Sequence, residues 1–157
     1  MRAALALSLA LVSCAASESS LDYTRGTEAL DERRWDDAVV YLKKAVELDP
    51  GMSRNHNNLA AAYFELGRLQ EGWPEVREAV NLDPRNESAR LNFLRYFEAM
   101  KKQSDLQIGD SFDAVEWKLG SPDQRTNKDG VVWWRYGHAG LAFEDGHLSG
   151  IGMMGVR

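Results

Sequence analysis

Few residues of this chain combine a reactive type with a setting that suggests chemistry. Ser111 lies in Gly109-Asp110-Ser111-Phe112, inside "IGDSFDAVEWKLGSP" (Ile108 to Pro122), and reads either as an acyl-transfer nucleophile or as a helix N-cap. The histidines are His56, His138 and His147, and the last two could meet across a hairpin with Asp145 to hold a metal or small ligand. A nucleophilic Ser needs a base in hydrogen-bond reach and an oxyanion site, and the sequence assigns neither. No H-x-x-x-H or Cys/His metal spacing occurs, so surface histidines and no metal or other cofactor are expected. The lone cysteine is Cys14.

The Gly-Asp-Ser block resembles the first block of the GDS-type (SGNH) esterases. That resemblance implies a doubly wound α/β domain with a D-x-x-H block far downstream. Only 46 residues follow Ser111, too few for alternating strands and helices, and Asp145-Gly146-His147 has the wrong spacing. The expectation is a Ser111 cap and no enzyme. A serine hydrolase using Ser111, and a small-ligand or metal-binding lipoprotein using His138 and His147, stand as the alternatives.

Composition narrows the classes. Hydrophobic content of 44% and charged content of 27% in 157 residues suit one medium or two small globular domains. A net charge of −5 without a Lys/Arg stripe argues against nucleic acid. Residues Ala3 to Leu11 are an uncharged apolar run behind Arg2, too short to span a bilayer and suited to a signal peptide. Leu11-Val12-Ser13-Cys14 then resembles the bacterial lipobox, which implies removal of residues 1–13 and diacylation of Cys14; ordinary cleavage after Ala16 is the alternative. Residues 14–20, ending in "ASESS", would be a polar tether. If the source is Gram-negative, Ala15 favours the periplasmic face of the outer membrane by the same resemblance.

Beyond the tether the chain repeats. "AVELDPG" ends at Gly51 and "AVNLDPR" at Arg85, so Ala45/Ala79, Leu48/Leu82, Asp49/Asp83 and Pro50/Pro84 are each 34 apart. Trp35, Ala38, Val39, Leu42, Ala45 and Val46 form one apolar helix stripe, and small residues at Gly26, Ala38 and Ala60 allow close helix approach. Asp49-Pro50 and Asp83-Pro84 end helices, while Pro74 must sit in a first turn or kink its helix. This pattern resembles tetratricopeptide repeats over residues 20–102, giving a repeat domain of residues 21–103 with two repeats and a capping helix from Glu87 to about Lys102. About three repeats are usually needed for stability, so a stabilising neighbour is expected. The resemblance implies a groove lined by first helices: Tyr23, Thr27, Arg54, Asn57, Asn58, Ala61, Phe64, Glu65, Leu91, Asn92, Arg95 and Glu98. Of the Lys-rich carboxylate clamp for chaperone tails only Asn58 matches, so that ligand is not expected.

Residues 104–157 change period. A short helix from Ser111 to Leu119, stopped by Gly120 and Pro122, precedes strands at Arg125–Lys128, Val131–Tyr136, Leu141–Glu144 and His147–Met153. Asp129-Gly130 and Asp145-Gly146 are strong hairpin signals and His138-Ala139-Gly140 a looser one. Trp133 and Trp134 face opposite sides of the sheet, one in the core and the other an interface or partner contact. Gly109-x-Ser111, Val115, Leu119-Gly120-x-Pro122, Trp134-x-Tyr136, Leu141-x-Phe143 and Gly146-x-Leu148 together resemble the SmpA/OmlA family, which implies an accessory, protein-binding lipoprotein of outer-membrane assembly. The expected protein is α+β: a short all-α repeat solenoid followed by a helix and an antiparallel meander. Its expected role is a non-enzymatic interaction scaffold of the bacterial envelope. The membrane would be held through the lipid on Cys14 and the partners would be envelope proteins or peptides.

Overall fold

The computed structural model describes residues 18–153, so the expected signal peptide, Cys14 and most of the tether lie outside the described residues. Helix α1 covers residues 18–31. It is followed by α2 (Trp35–Leu48), α3 (Ser53–Glu65), α4 (Leu69–Leu82), α5 (Glu87–Ser104) and α6 (Phe112–Leu119). Strands β1 (Gln124–Lys128), β2 (Val131–Tyr136), β3 (Ala139–Glu144) and β4 (His147–Met153) form an antiparallel sheet in the order β1-β2-β3-β4. Among the described residues no helix is long and apolar enough to cross a membrane. The chain divides into two compact units between Asp83 and Pro84. The expected boundary followed residue 103; α5 instead groups with the sheet.

In the first unit the 34-residue period reappears as backbone geometry. Arg33 (φ 58°) and Gly67 (φ 70°) turn the chain left-handed after α1 and α3. Arg34 and Arg68 then open α2 and α4 with near-identical torsions, φ −88°, ψ 70° and φ −84°, ψ 59°. Each guanidinium reaches an acid three residues on, Asp37 at 2.6 Å and Glu71 at 2.6 Å. Asp49 and Asp83 leave the helical region at φ −141° and φ −138°, as the following prolines require. Side chains repeat too: Ser19 Oγ donates to Ala45 O at 3.2 Å and Ser53 Oγ to Ala79 O at 2.8 Å.

A core of Ala29, Ala38, Val39, Leu42, Leu59, Ala62 and Tyr63 joins the first three helices. At Gly26 the α1 backbone lies close against Leu42: a Cβ there would stand 2.5 Å from Leu42 Cγ, and Leu42 is fully buried. Pro74 lies in the second turn of α4, exposed, rather than in the first. There it removes an N–H that the helical ladder would have used.

The second unit is a sheet with α6 on one face. Asn86 caps α5, its side chain accepting from Ala89 N at 3.1 Å, and Asp105 ends the helix in the left-handed region at φ 52°. Ala89, Phe93, Phe97 and Met100 are buried as the pattern implied, with Tyr96. Both Asp-Gly turns carry positive φ at both residues (Asp129 54°, Gly130 84°; Asp145 50°, Gly146 80°), the primed turn that matches strand twist. The β2–β3 turn is Gly137-His138, earlier than expected, because Gly137 takes the positive φ (54°). Phe112 stacks on Trp134 at 5.1 Å and on Phe143 at 4.6 Å, and Tyr136 Oη donates to Gly120 O at 2.8 Å.

Substituting Gly26→Ala tests the close approach. The added methyl overpacks Leu42, at about 1–3 kcal/mol, against a helix-propensity gain of about 1 kcal/mol. The variant should unfold at lower urea, and trimming the clash with Leu42→Ala should cost less in the Gly26→Ala background than in the parent. A stabilised single variant would refute the tight contact.

Candidate functional site

The first unit brings together part of the expected groove. On α1, Tyr23 and Thr27 are one turn apart. On α3, Arg54, Asn57/Asn58, Ala61 and Phe64/Glu65 follow at helical spacing, so they share a stripe. The Arg54 guanidinium sits 4.7 Å above the Tyr23 ring, and Asn58 Nδ2 points at Tyr23 Oη from 3.4 Å. Asn57 Nδ2 donates to Asn58 Oδ1 at 3.2 Å. Asn57 is buried, Tyr23, Asn58 and Phe64 are half-buried, and Arg54 is exposed. Thr27 Oγ1 donates to Thr24 O at 2.8 Å, which turns that hydroxyl into its own helix. The result is a linked pair of amides beside a cation held over an aromatic ring. Asn92 and Arg95 lie on α5, in the second unit, half-buried and exposed respectively.

Behind this stripe lies a group whose position the sequence did not reveal. His56 was expected at the surface and is buried, 6% exposed. Its Nδ1 lies 2.7 Å from Glu75 Oε2 and its Nε2 2.9 Å from Pro50 O. Both partners accept only, and a neutral imidazole has one proton to give, so the protonated ring satisfies both. Burial opposes the charge. The Glu75 hydrogen bond, the Pro50 carbonyl and the charges of Glu75 and Glu78 outweigh it and raise the His56 pKa.

The Gly-Asp-Ser block is a local scaffold. Ser111 Oγ accepts from Ala114 N at 3.3 Å, capping α6. Asp110 accepts from Gln107 N at 2.9 Å and Lys118 Nζ at 2.7 Å. Against the opposing effect of burial, those two contacts hold its carboxyl below the ordinary range. Ser111 and His147 are antiparallel bridge partners, flanked by Leu148 N–Asp110 O (2.7 Å) and Phe112 N–Gly146 O (3.3 Å). That makes them a non-hydrogen-bonded pair with neighbouring side chains, a juxtaposition no spacing rule predicted. Yet His147 Nδ1 donates to the main-chain oxygen of Asp145 at 2.9 Å, where a catalytic pair would have a carboxylate.

The alternative in which His138 and His147 meet across a hairpin is not what the strands build. His138 precedes β3, while His147 pairs with Glu144 at the other end of that strand. Six residues of strand separate them by about 20 Å. Among the described residues no three His, Cys, Asp or Glu side chains gather where a metal could bind. Of the tryptophan pair, Trp134 is the core residue at 4% exposure and Trp133 lies 43% exposed on the opposite face.

Residues 29–90 match the tetratricopeptide repeat family model, and that segment carries such repeats. The stress-induced-phosphoprotein 1 of Caenorhabditis elegans is 32% identical over 97 residues, 59% of this chain and 28% of that protein. The chain spans 9 to 28% of the length of the curated relatives it matches. Among solved structures, the Arabidopsis OM64 TPR domain aligns with TM-score 0.51 and 24% identity, over 57% of this chain and 76% of that one. The TPR2B-domain:pHsp70 complex of yeast Sti1 aligns with TM-score 0.52 and 21% identity, over 57% and 71%. These likenesses establish the repeat fold of the helical part.

A raised folded-state pKa at His56 contributes stability that is complete below the unfolded value, about pH 6.5, and is lost as pH rises through the folded value. Urea midpoints should therefore fall between about pH 5.5 and about pH 8.5 more in the wild type than in His56→Gln. Equal falls in the two proteins would show that the Glu75–His56–Pro50 bridge carries no proton linkage.

Proposed function

We propose that this chain is a non-enzymatic adaptor that holds an extended segment of another protein along the α1/α3 face, while a lipid on Cys14 ties it to a bacterial envelope membrane. The observation that carries the reading is the Tyr23–Arg54–Asn58 cluster, which fixes amide donors and acceptors on a stripe left open beside Ala61 and Phe64. The yeast Sti1 domain of like fold is a complex with pHsp70, which supports peptide holding as the use of this face. The ligand differs in kind. Arg54 is the cation of the cluster and is stacked on Tyr23, so the face reads a peptide main chain rather than a terminal carboxylate.

The resemblance of the C-terminal module to the SmpA/OmlA family gives the adaptor its proposed place in outer-membrane assembly, at the periplasmic face. In support, the apolar positions of that resemblance are packing residues: Val115, Leu119, Trp134, Tyr136, Leu141, Phe143 and Leu148 are all buried. They form the packed core of the module.

Two experiments test the proposal. With a photo-crosslinking amino acid at Asn58, cells of the source organism should yield a discrete adduct that the same group at Lys44, exposed on α2, does not. No adduct, or equal adducts at both sites, would overturn the groove. Labelled palmitate should enter the wild type and not Cys14→Ser, and the variant should leave the membrane fraction; equal labelling, or none, would overturn the anchor.

A further inference from the structure

The sheet of the second unit has a face that α6 does not cover. By register, Gln124, Thr126 and Lys128 on β1 share that face with Val131, Trp133 and Arg135 on β2 and with Gly140, Ala142 and, at the far end, Glu144 on β3. A hollow of about 450 Å³ opens there, lined by the three β1 side chains, Trp133, Trp134, Arg135 and Gly140. Trp133 forms its apolar wall, and small residues make the floor, continuing to Gly150 opposite Ala142 and Gly152 opposite Gly140. No carboxylate lines the hollow, and Lys128 and Arg135 do, in a chain of net charge −5.

The hollow borders a bare edge. β1 is the terminal strand, and all five of its residues are exposed. The two-residue turn Asp129-Gly130 makes Lys128 and Val131 a hydrogen-bonded pair, so bonding alternates and Arg125 and Asn127 turn their main-chain N–H and C=O outward. A short strand with cations ordinarily only discourages self-pairing. Here the edge also leads directly into an apolar, cationic hollow. A strand laid against β1 would send every second side chain over Trp133 and toward Lys128.

We propose that the β1 edge and the Trp133 hollow bind an extended acidic segment of a partner protein by strand addition, with an aromatic or aliphatic side chain against Trp133 and flanking carboxylates toward Lys128 and Arg135. This surface is separate from the α1/α3 face and does not depend on it.

The probe is a fluorescein-labelled peptide, Thr-Glu-Thr-Phe-Thr-Glu-Thr, whose alternation puts both acids and the Phe on one side, compared with its Lys-for-Glu counterpart. Anisotropy titration of the full chain should detect binding of the acidic peptide and not of the basic one. Trp133→Ser and Lys128→Glu should each weaken it by about tenfold. Asn127→Pro, which removes an outward N–H and spares the ladder, should do the same with the melting temperature unchanged. Arg54→Ala should leave this binding intact, which separates it from failure of the helical groove. Equal binding of both peptides, or wild-type affinity in Trp133→Ser and Asn127→Pro, would overturn the proposal.

Discussion

The first unit depends on how closely two helices are allowed to meet. With no side chain at Gly26, Leu42 fills the space a Cβ would need, 2.5 Å away, and α1 settles onto α2 at backbone distance. That contact sets where the rest of α1 points. Tyr23 lies one turn before Gly26, and its ring reaches α3 only because α1 lies deep against the hairpin core. The Arg54–Tyr23 stack and the Asn58 amide therefore sit beside a packing constraint made one turn along the same helix face. Equivalent geometry 34 residues later uses Ala60, a residue larger by one methyl and likewise fully buried.

An analogous dependence runs through the second unit, with an aromatic cluster in place of a glycine. Phe112, Trp134 and Phe143 lie within 5.1 Å of one another, ring to ring. Once Trp134 is committed to that cluster, strand alternation sends Trp133 to the other face. The two Asp-Gly turns lock this outcome, since a slip of one residue would exchange the two tryptophans and carry Tyr136, Leu141 and Phe143 to solvent. The exposed tryptophan and the hollow beside it are thus consequences of register.

Features that repeat or alternate were legible in the sequence. The 34-residue period, the helix stripes, the Asp-Gly hairpins and the Ser111 cap are local or periodic, and each appears where the residues implied. Strand β3 starts two residues before the sequence implies because Gly137 and Gly140 both offer a flexible backbone, and only pairing chooses between them. His56 reads as a surface residue in the sequence because its acceptors, Glu75 and the Pro50 carbonyl, lie on a different helix and a loop. The Ser111–His147 bridge was hidden for the same reason: it joins a helix cap to the far end of the meander. Sequence alternation required one tryptophan inside and one outside; the partner ring of Phe112 decides which.

The groove and the sheet edge would read different properties of a partner. On the α1/α3 face the cation is partly spent on an aromatic ring, and the groups beside it are amides. Amides bond a main chain whatever its side chains, so such a face tolerates varied sequence and draws selectivity from shape. The edge beside Trp133 also offers main-chain bonding, but its hollow adds positive charge in an acidic protein. Those two cations would attract an acidic segment, so charge would steer and select there. A scaffold of this kind would combine one permissive and one selective surface. The two units supply that combination because a helical stripe and a bare strand edge expose different parts of the backbone chemistry.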